Sequence, residues 1–138
     1  TKVVDEEWGH FRMVLDELKR RGLKLGFPRK DDYVSALNAR IKNNGTSNEK
    51  LLDKLLMCAL IEARSCERFK LLSLECSDME LREFYKKLMV SEAGHYKLFL
   101  DFAYQYIDKE KVKTRWDYFL QVESEIMKEL EVRGDRMH

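Results

Sequence analysis

Glutamate precedes histidine by three residues twice in this 138-residue chain, at Glu7-Trp8-Gly9-His10 and at Glu92-Ala93-Gly94-His95. On a helix, residues three apart project from one face. Each pair therefore offers a carboxylate oxygen and an imidazole nitrogen side by side. Both pairs fall on the apolar stripe of their segments, and Glu62 does the same between Ala59 and Cys66. An inward carboxylate without a cation is costly. Five donors, Glu7, His10, Glu62, Glu92 and His95, carried inward on three helices predict a dinuclear metal site. Carboxylate and imidazole mixtures suit iron or manganese, whereas thiolate-rich sets select zinc. Taken singly, one such pair is weak evidence, and Glu62 alone reads more simply as a salt-bridged core residue.

Other chemistries lose their usual warrants. There is no HExxH zinc motif, no Gly-rich phosphate loop and no GxSxG elbow. No catalytic residue is expected beyond the metal site. Cys58, Cys66 and Cys76 form no CxxC pair and are odd in number, so they read as small reduced hydrophobes in an intracellular, cytoplasmic protein. The third histidine, His138, is terminal.

The elements that must position the donors are helical. The first segment, 2–21, repeats Val3, Phe11, Val14, Leu15 and Leu18 at helical spacing and stops at Gly22 and Gly26-Phe27-Pro28. A short helix over 32–42 carries Val34, Leu37 and Ile41, and 43–48 is a loop. The third helix, 49–75, has the stripe Leu55, Ala59, Glu62, Cys66 and Phe69. A capping box from Ser77 to Glu80 opens the fourth, with Leu81, Phe84, Leu88, Glu92, His95, Phe99 and Phe102. The fifth, 109–132, presents Val112, Trp116, Phe119, Ile126 and Leu130. About five helices with short links predict an all-α antiparallel bundle, one domain over 1–138.

Composition agrees. Hydrophobic residues are 44% and charged residues 37% of the chain, a globular balance, while one proline and six glycines disfavour a turn-rich β fold. The longest run without a polar side chain, 55–61, is far short of a membrane span. Twenty-six basic against 25 acidic residues give no global field, so an anionic partner needs a local patch. Lys19, Arg20, Arg21, Lys24, Arg29 and Lys30 supply one, with no acid across 19–30. The plainer reading is a solvated loop whose cations favour a helix C-terminus.

The donor pattern matches the ferritin-like di-iron arrangement, in which two helices give a Glu each and two others a Glu-x-x-His each. Five of its six ligands and three of its four bundle helices are present. The first segment is periodic from its start, without a cap, and the chain opens on Thr1 and not Met. The remaining ligand helix is expected upstream. IEARSCERF at 61–69, Phe84-Tyr85, SEAGHY at 91–96 and EEWGHF at 6–11 resemble the tRNA hydroxylase family that acts on 2-methylthio-N6-isopentenyladenosine. IEARSCERF is the most specific of these, and the resemblance extends over most of the chain.

The resemblance implies a non-haem di-iron monooxygenase. It would use O2 and two electrons to hydroxylate the isopentenyl side chain of a modified adenosine beside the anticodon. Glu7 and His10 would serve one iron, Glu62 and His95 the other, with Glu92 and Glu7 bridging. The implied partners are tRNA and an electron-transfer protein or reductase, with no membrane. A stripe left uncovered by the missing helix would suit a homodimer. Two rivals remain: a ferritin-like ferroxidase with the same donors but no need of a basic patch, and a helical interaction module that binds no iron.

Overall fold

The computed structural model describes residues 2–26, 30–42 and 44–136. It contains α1 (Lys2–Arg20), α2 (Asp32–Asn38), α3 (Ser47–Glu75), α4 (Met79–Tyr106) and α5 (Lys109–Arg136), with no strand among the described residues. Internal contacts divide the chain into two units, Thr1–Lys30 and Asp31–His138.

The first unit is α1 and the segment after it. The helix closes in a Schellman turn. Leu23 N–H donates to Leu18 O at 2.8 Å and Gly22 N–H to Lys19 O at 3.1 Å. That turn needs a left-handed residue, and Gly22 supplies it with φ of 70°.

In the second unit, local chemistry sets the boundaries, and four differ from the sequence expectation, α5 among them, which runs on to Arg136 instead of ending at 132. Asp31 caps α2 by accepting from Val34 N–H at 3.1 Å. The helix stops at Asn38, short of the expected 42, because the chain tightens into i to i−3 bonds, Arg40 N–H to Leu37 O and Ile41 N–H to Asn38 O. Lys42 N–H then leaves the helix direction and donates to the Asp53 carboxylate at 2.8 Å. Thr46 caps α3 two residues earlier than expected, accepting from Glu49 N–H at 3.2 Å. The cap of α4 is Asp78 and not Ser77. Its carboxylate accepts from Glu80 and Leu81 N–H at 2.9 and 3.3 Å, so the Ser77 capping box is corrected. The Arg82 guanidinium donates to Cys76 O and to Leu74 O, which satisfies carbonyls at the end of α3.

Cross-helix contacts fix the topology. Glu62 meets His95, Cys66 Sγ lies 3.5 Å from Met89 O, and Phe69 stacks on Tyr85 at 6.1 Å. Partner numbers fall along α4 as they rise along α3, so the two are antiparallel. Asp53 pairs with Arg115 and Arg64 with Glu123, so α5 runs in the direction of α3. The core between them contains Leu37 of α2, Leu52, Leu56 and Leu60 of α3, Ala103 of α4, and Val112, Phe119, Val122 and Ile126 of α5.

Two acids lie in this apolar contact. Asp53 is 1% exposed and accepts two bonds from the Arg115 guanidinium, at 2.7 and 2.8 Å. Glu123 is 4% exposed and accepts from Arg64 at 2.5 and 3.1 Å and from the Tyr33 hydroxyl. Removing one partner of a buried pair leaves an uncompensated charge. Arg115→Ala should therefore lower stability by about 3–5 kcal/mol. Arg115→Lys, which keeps the charge but loses the two-pronged geometry, should fall between. Urea unfolding followed by circular dichroism measures both.

Candidate metal centre

The α4 helix turns Glu92 and His95 inward together, 6% and 3% exposed, as their three-residue spacing predicts. The α3 helix brings Glu62 opposite them, its side chain 12% exposed. One donor atom from each of Glu62, Glu92 and His95 lies within 4.8 Å of the others. Glu62 Oε1 and His95 Nδ1 are 3.8 Å apart. The antiparallel register makes this meeting possible. The Cys66–Met89 and Phe69–Tyr85 contacts lie one and two turns further along and hold the helices in step.

The donor set fits a first-row divalent cation. Such an ion holds nitrogen and carboxylate oxygen at about 2.0–2.2 Å, so its donors lie within about 4.4 Å of one another. A set within 4.8 Å closes onto a cation with small side-chain movements. Two carboxylates and an imidazole are also the hard, neutral-to-anionic mixture that iron and manganese accept. No cysteine is among the clustered donors of the described residues. Burial pushes the Cys58 thiol up from its ordinary range, and the Glu62 carboxylate pushes it further. Burial and then Glu92 do the same to Cys66. Both thiols stay protonated at neutral pH.

The other two sequence-predicted donors belong to the first unit. Glu7 Oε1 lies 3.2 Å from His10 Nδ1 across one turn of α1, so this ExxH pair also forms side by side. Of the predicted basic patch, Lys19, Arg20, Arg21, Lys24 and Lys30 are exposed. Arg29, with Phe27, Pro28 and His138, lies outside the described residues. The patch has an acid at its edge that the 19–30 window missed. Glu17 accepts from Arg20 at 2.6 Å and from Arg21 at 3.0 Å. Those two guanidinium bonds hold its carboxyl below the usual range.

Sequence reasoning also missed the role of Arg64, the fourth residue of IEARSCERF. On α3 it points to α5 and Glu123, while Glu62 and Cys66 meet α4. Burial and then the Glu123 carboxylate raise the Tyr33 hydroxyl well above its ordinary range, so it remains a donor to that carboxylate. A signal existed. The apolar stripe of α5 steps from Phe119 to Ile126, and Glu123 stands in the gap.

Comparison with known proteins follows the same lines. A family model described as tRNA-(MS[2]IO[6]A)-hydroxylase (MiaE) matches residues 1–138. A tRNA 2-(methylsulfanyl)-N(6)-isopentenyladenosine(37) hydroxylase of Pseudomonas putida is 38% identical over 112 residues, 81% of this chain and 53% of that protein. The enzyme of the same name from Salmonella typhimurium is 34% identical over 125 residues, 91% of this chain and 45% of that protein. The chain thus spans about half the length of the curated relatives it matches. A solved Synechococcus structure described as Protein 43 with aldehyde deformylating oxygenase activity superposes with a TM-score of 0.83 at 34% identity. The match covers 88% of this chain and 60% of that one. The expected all-α, ferritin-like helical bundle is the fold observed.

If the cluster is a metal site, Glu92→Ala and His95→Ala should each weaken Fe(II) or Mn(II) binding by more than the roughly 10–100-fold that losing a supporting residue costs. Calorimetric titration under anaerobic conditions reads this directly. Cys66→Ala should leave the affinity nearly unchanged.

Proposed function

The chain belongs to the tRNA-(MS[2]IO[6]A)-hydroxylase family, and from that membership we propose that it is a tRNA-modifying di-iron monooxygenase. The substrate in this reading is the isopentenyl side chain of 2-methylthio-N6-isopentenyladenosine beside the anticodon. The observation that supports it most is the Glu62, Glu92 and His95 cluster, set within a chain that matches the family from end to end.

In this proposal Glu62 and His95 would hold one iron and Glu7 and His10 the other, with Glu7 and Glu92 as the carboxylates that would be shared between them. The chemistry such a pair supplies when bound is insertion of one atom of O2 into a C–H bond, the second atom leaving as water with two electrons and two protons from an external donor. The chain's own residues do quieter work. Carboxylates and imidazoles hold charge and geometry. Ala59 one turn before Glu62, and Leu88 one turn before Glu92, are buried and put apolar side chains on the donors' faces of α3 and α4. Cys58 and Cys66 stand outside the donor cluster, and burial raises both thiols above their ordinary range. No side-chain base is required to break the bond, because an allylic C–H bond of the isopentenyl group is far too weakly acidic to be deprotonated by one.

Lys19, Arg20, Arg21, Lys24, Arg29 and Lys30 are the proposed phosphate contacts. Arg20 and Arg21 pair with Glu17 at the surface, where such bridges are weak and exchange readily for phosphate. An electron-transfer protein or reductase is the second partner, and the cytoplasm is the compartment where tRNA is met. A homodimer is the proposed assembly. Among the described residues no helix is long and apolar enough to cross a membrane.

Nucleoside mass spectrometry of tRNA from cells with and without the gene tests the substrate. The form with one extra oxygen should disappear and its unhydroxylated precursor accumulate. Unchanged profiles in cells that make the precursor would reject the tRNA substrate, and multiple-turnover ferrous oxidation would then point to a ferroxidase. Charge reversal of Arg20, Arg21 and Lys24 should weaken tRNA binding and lower the salt slope by about one for each phosphate no longer neutralised. Filter binding across a salt series measures it.

A further inference from the structure

The α1 helix runs for 19 residues with none of them fully buried. Its apolar residues fall on two adjoining faces. Val3, Val14 and Leu18 share the face of His10 and are half-buried with it. Val4, Trp8, Phe11 and Leu15 recur at i, i+4, i+7 and i+11 and form the second face. There Val4 is 63%, Trp8 59% and Phe11 41% exposed. The Trp8 and Phe11 rings stack at 5.5 Å, which joins two large side chains into one ridge. A contiguous exposed apolar ridge marks an interaction site.

Two features point to a second copy of this chain as the occupant. The ridge reads the same in both directions, since 4 and 15, like 8 and 11, are equidistant from the point between Gly9 and His10. A twofold axis through that point lays two α1 helices antiparallel. Val4 then meets the partner subunit's Leu15, and Trp8 meets the partner subunit's Phe11. A twofold interface requires this self-complementarity. Charge is the second feature. Asp5 stands three residues before Trp8 and Arg12 four after it, so both line one edge of the ridge, and both are exposed. In the antiparallel pair Asp5 comes within two residues, about 3 Å along the axis, of the position opposite Arg12. Opposite charges therefore meet twice across the axis. Glu7, four residues before Phe11, lies toward the other edge.

We propose that α1 is a homodimer interface, two copies joined antiparallel through Val4, Trp8, Phe11 and Leu15 with Asp5–Arg12 ion pairs along one edge. The proposal rests on the homodimer reading above, gives that dimer its contact surface, and is independent of the tRNA substrate. One helix pair about 28 Å long is a small interface, so the dimer is a concentration-dependent one and not a permanent one.

Sedimentation velocity of the whole chain over a concentration series tests it. The parent should pass from monomer to dimer. Trp8→Ala, which acts twice by symmetry, should weaken association about 30-fold or more, as loss of a central aromatic does. Leu74→Ala, at an equally exposed leucine of α3, should change nothing. Asp5→Arg alone and Arg12→Asp alone each set like charges across the axis and should weaken the dimer. Mixed in equal amounts, the two variants regain opposite charges at both contacts and should associate with near-parental affinity. A fault in the folding of α1 would not be repaired by mixing. A parent that stays monomeric would give this face to another occupant and overturn both the interface and the homodimer reading. A parental dimer untouched by Trp8→Ala, or a mixture no tighter than either variant alone, would overturn the α1 contact and leave the homodimer standing on another surface.

Discussion

Carboxylates buried among helices must meet positive charge, and the architecture of the larger unit depends on how that requirement is met. Removing an ion from water costs several kcal/mol even after relaxation. A whole domain is stable by only about 5–15 kcal/mol. Asp53 and Glu123 meet guanidinium groups in two-pronged geometry. Glu62 and Glu92 gather with His95 into a set that a metal cation can neutralise. The same physics thus produces two structural pins and one candidate metal site.

The pins do more than offset desolvation. Apolar contacts tolerate small slides, because one leucine surface resembles another. A bidentate pair does not. Sliding α5 along α3 by one turn, about 5.4 Å, would break the Asp53–Arg115 and Glu123–Arg64 pairs together. Arg64 and Glu62 sit two residues apart on α3 and meet opposite neighbours. The helix that carries the candidate donor Glu62 on one side is therefore locked by an ion pair on the other.

Much of this was legible from residue spacing. The three long helices of the larger unit begin or end within a few residues of the expected points because their stripes and caps are local signals. Glu92 and His95 face inward because a three-residue step on a helix leaves no alternative once Leu88 and Ala103 are buried. What was not legible depended on distant partners. Nothing near Asp53 in sequence announces Arg115, 62 residues away. The α2 helix ended early because Lys42 N–H had a better acceptor in Asp53 than a further turn could offer. Asp78 displaced Ser77 as the cap of α4, since both residues suit the position and only the path out of α3 decides between them.

The candidate donors carry a tension that the pins resolve. Glu62 and Glu92 bring donor atoms within 4.8 Å of each other, so two like groups that disfavour each other's charge share one site. Left to themselves, α3 and α4 would relieve that repulsion by parting around Glu62 and Glu92. The Phe69–Tyr85 stack and the Cys66–Met89 contact resist it from the α4 side, and Arg64 holds α3 from the α5 side. Stability is thus stored in residues that touch no metal so that the donors can remain close. A cation binding there gains the attraction of both carboxylates without having to draw the helices together. That preorganisation explains why the most distinctive string in the chain, IEARSCERF, contains only one donor: its other residues include the ones that hold that donor in place.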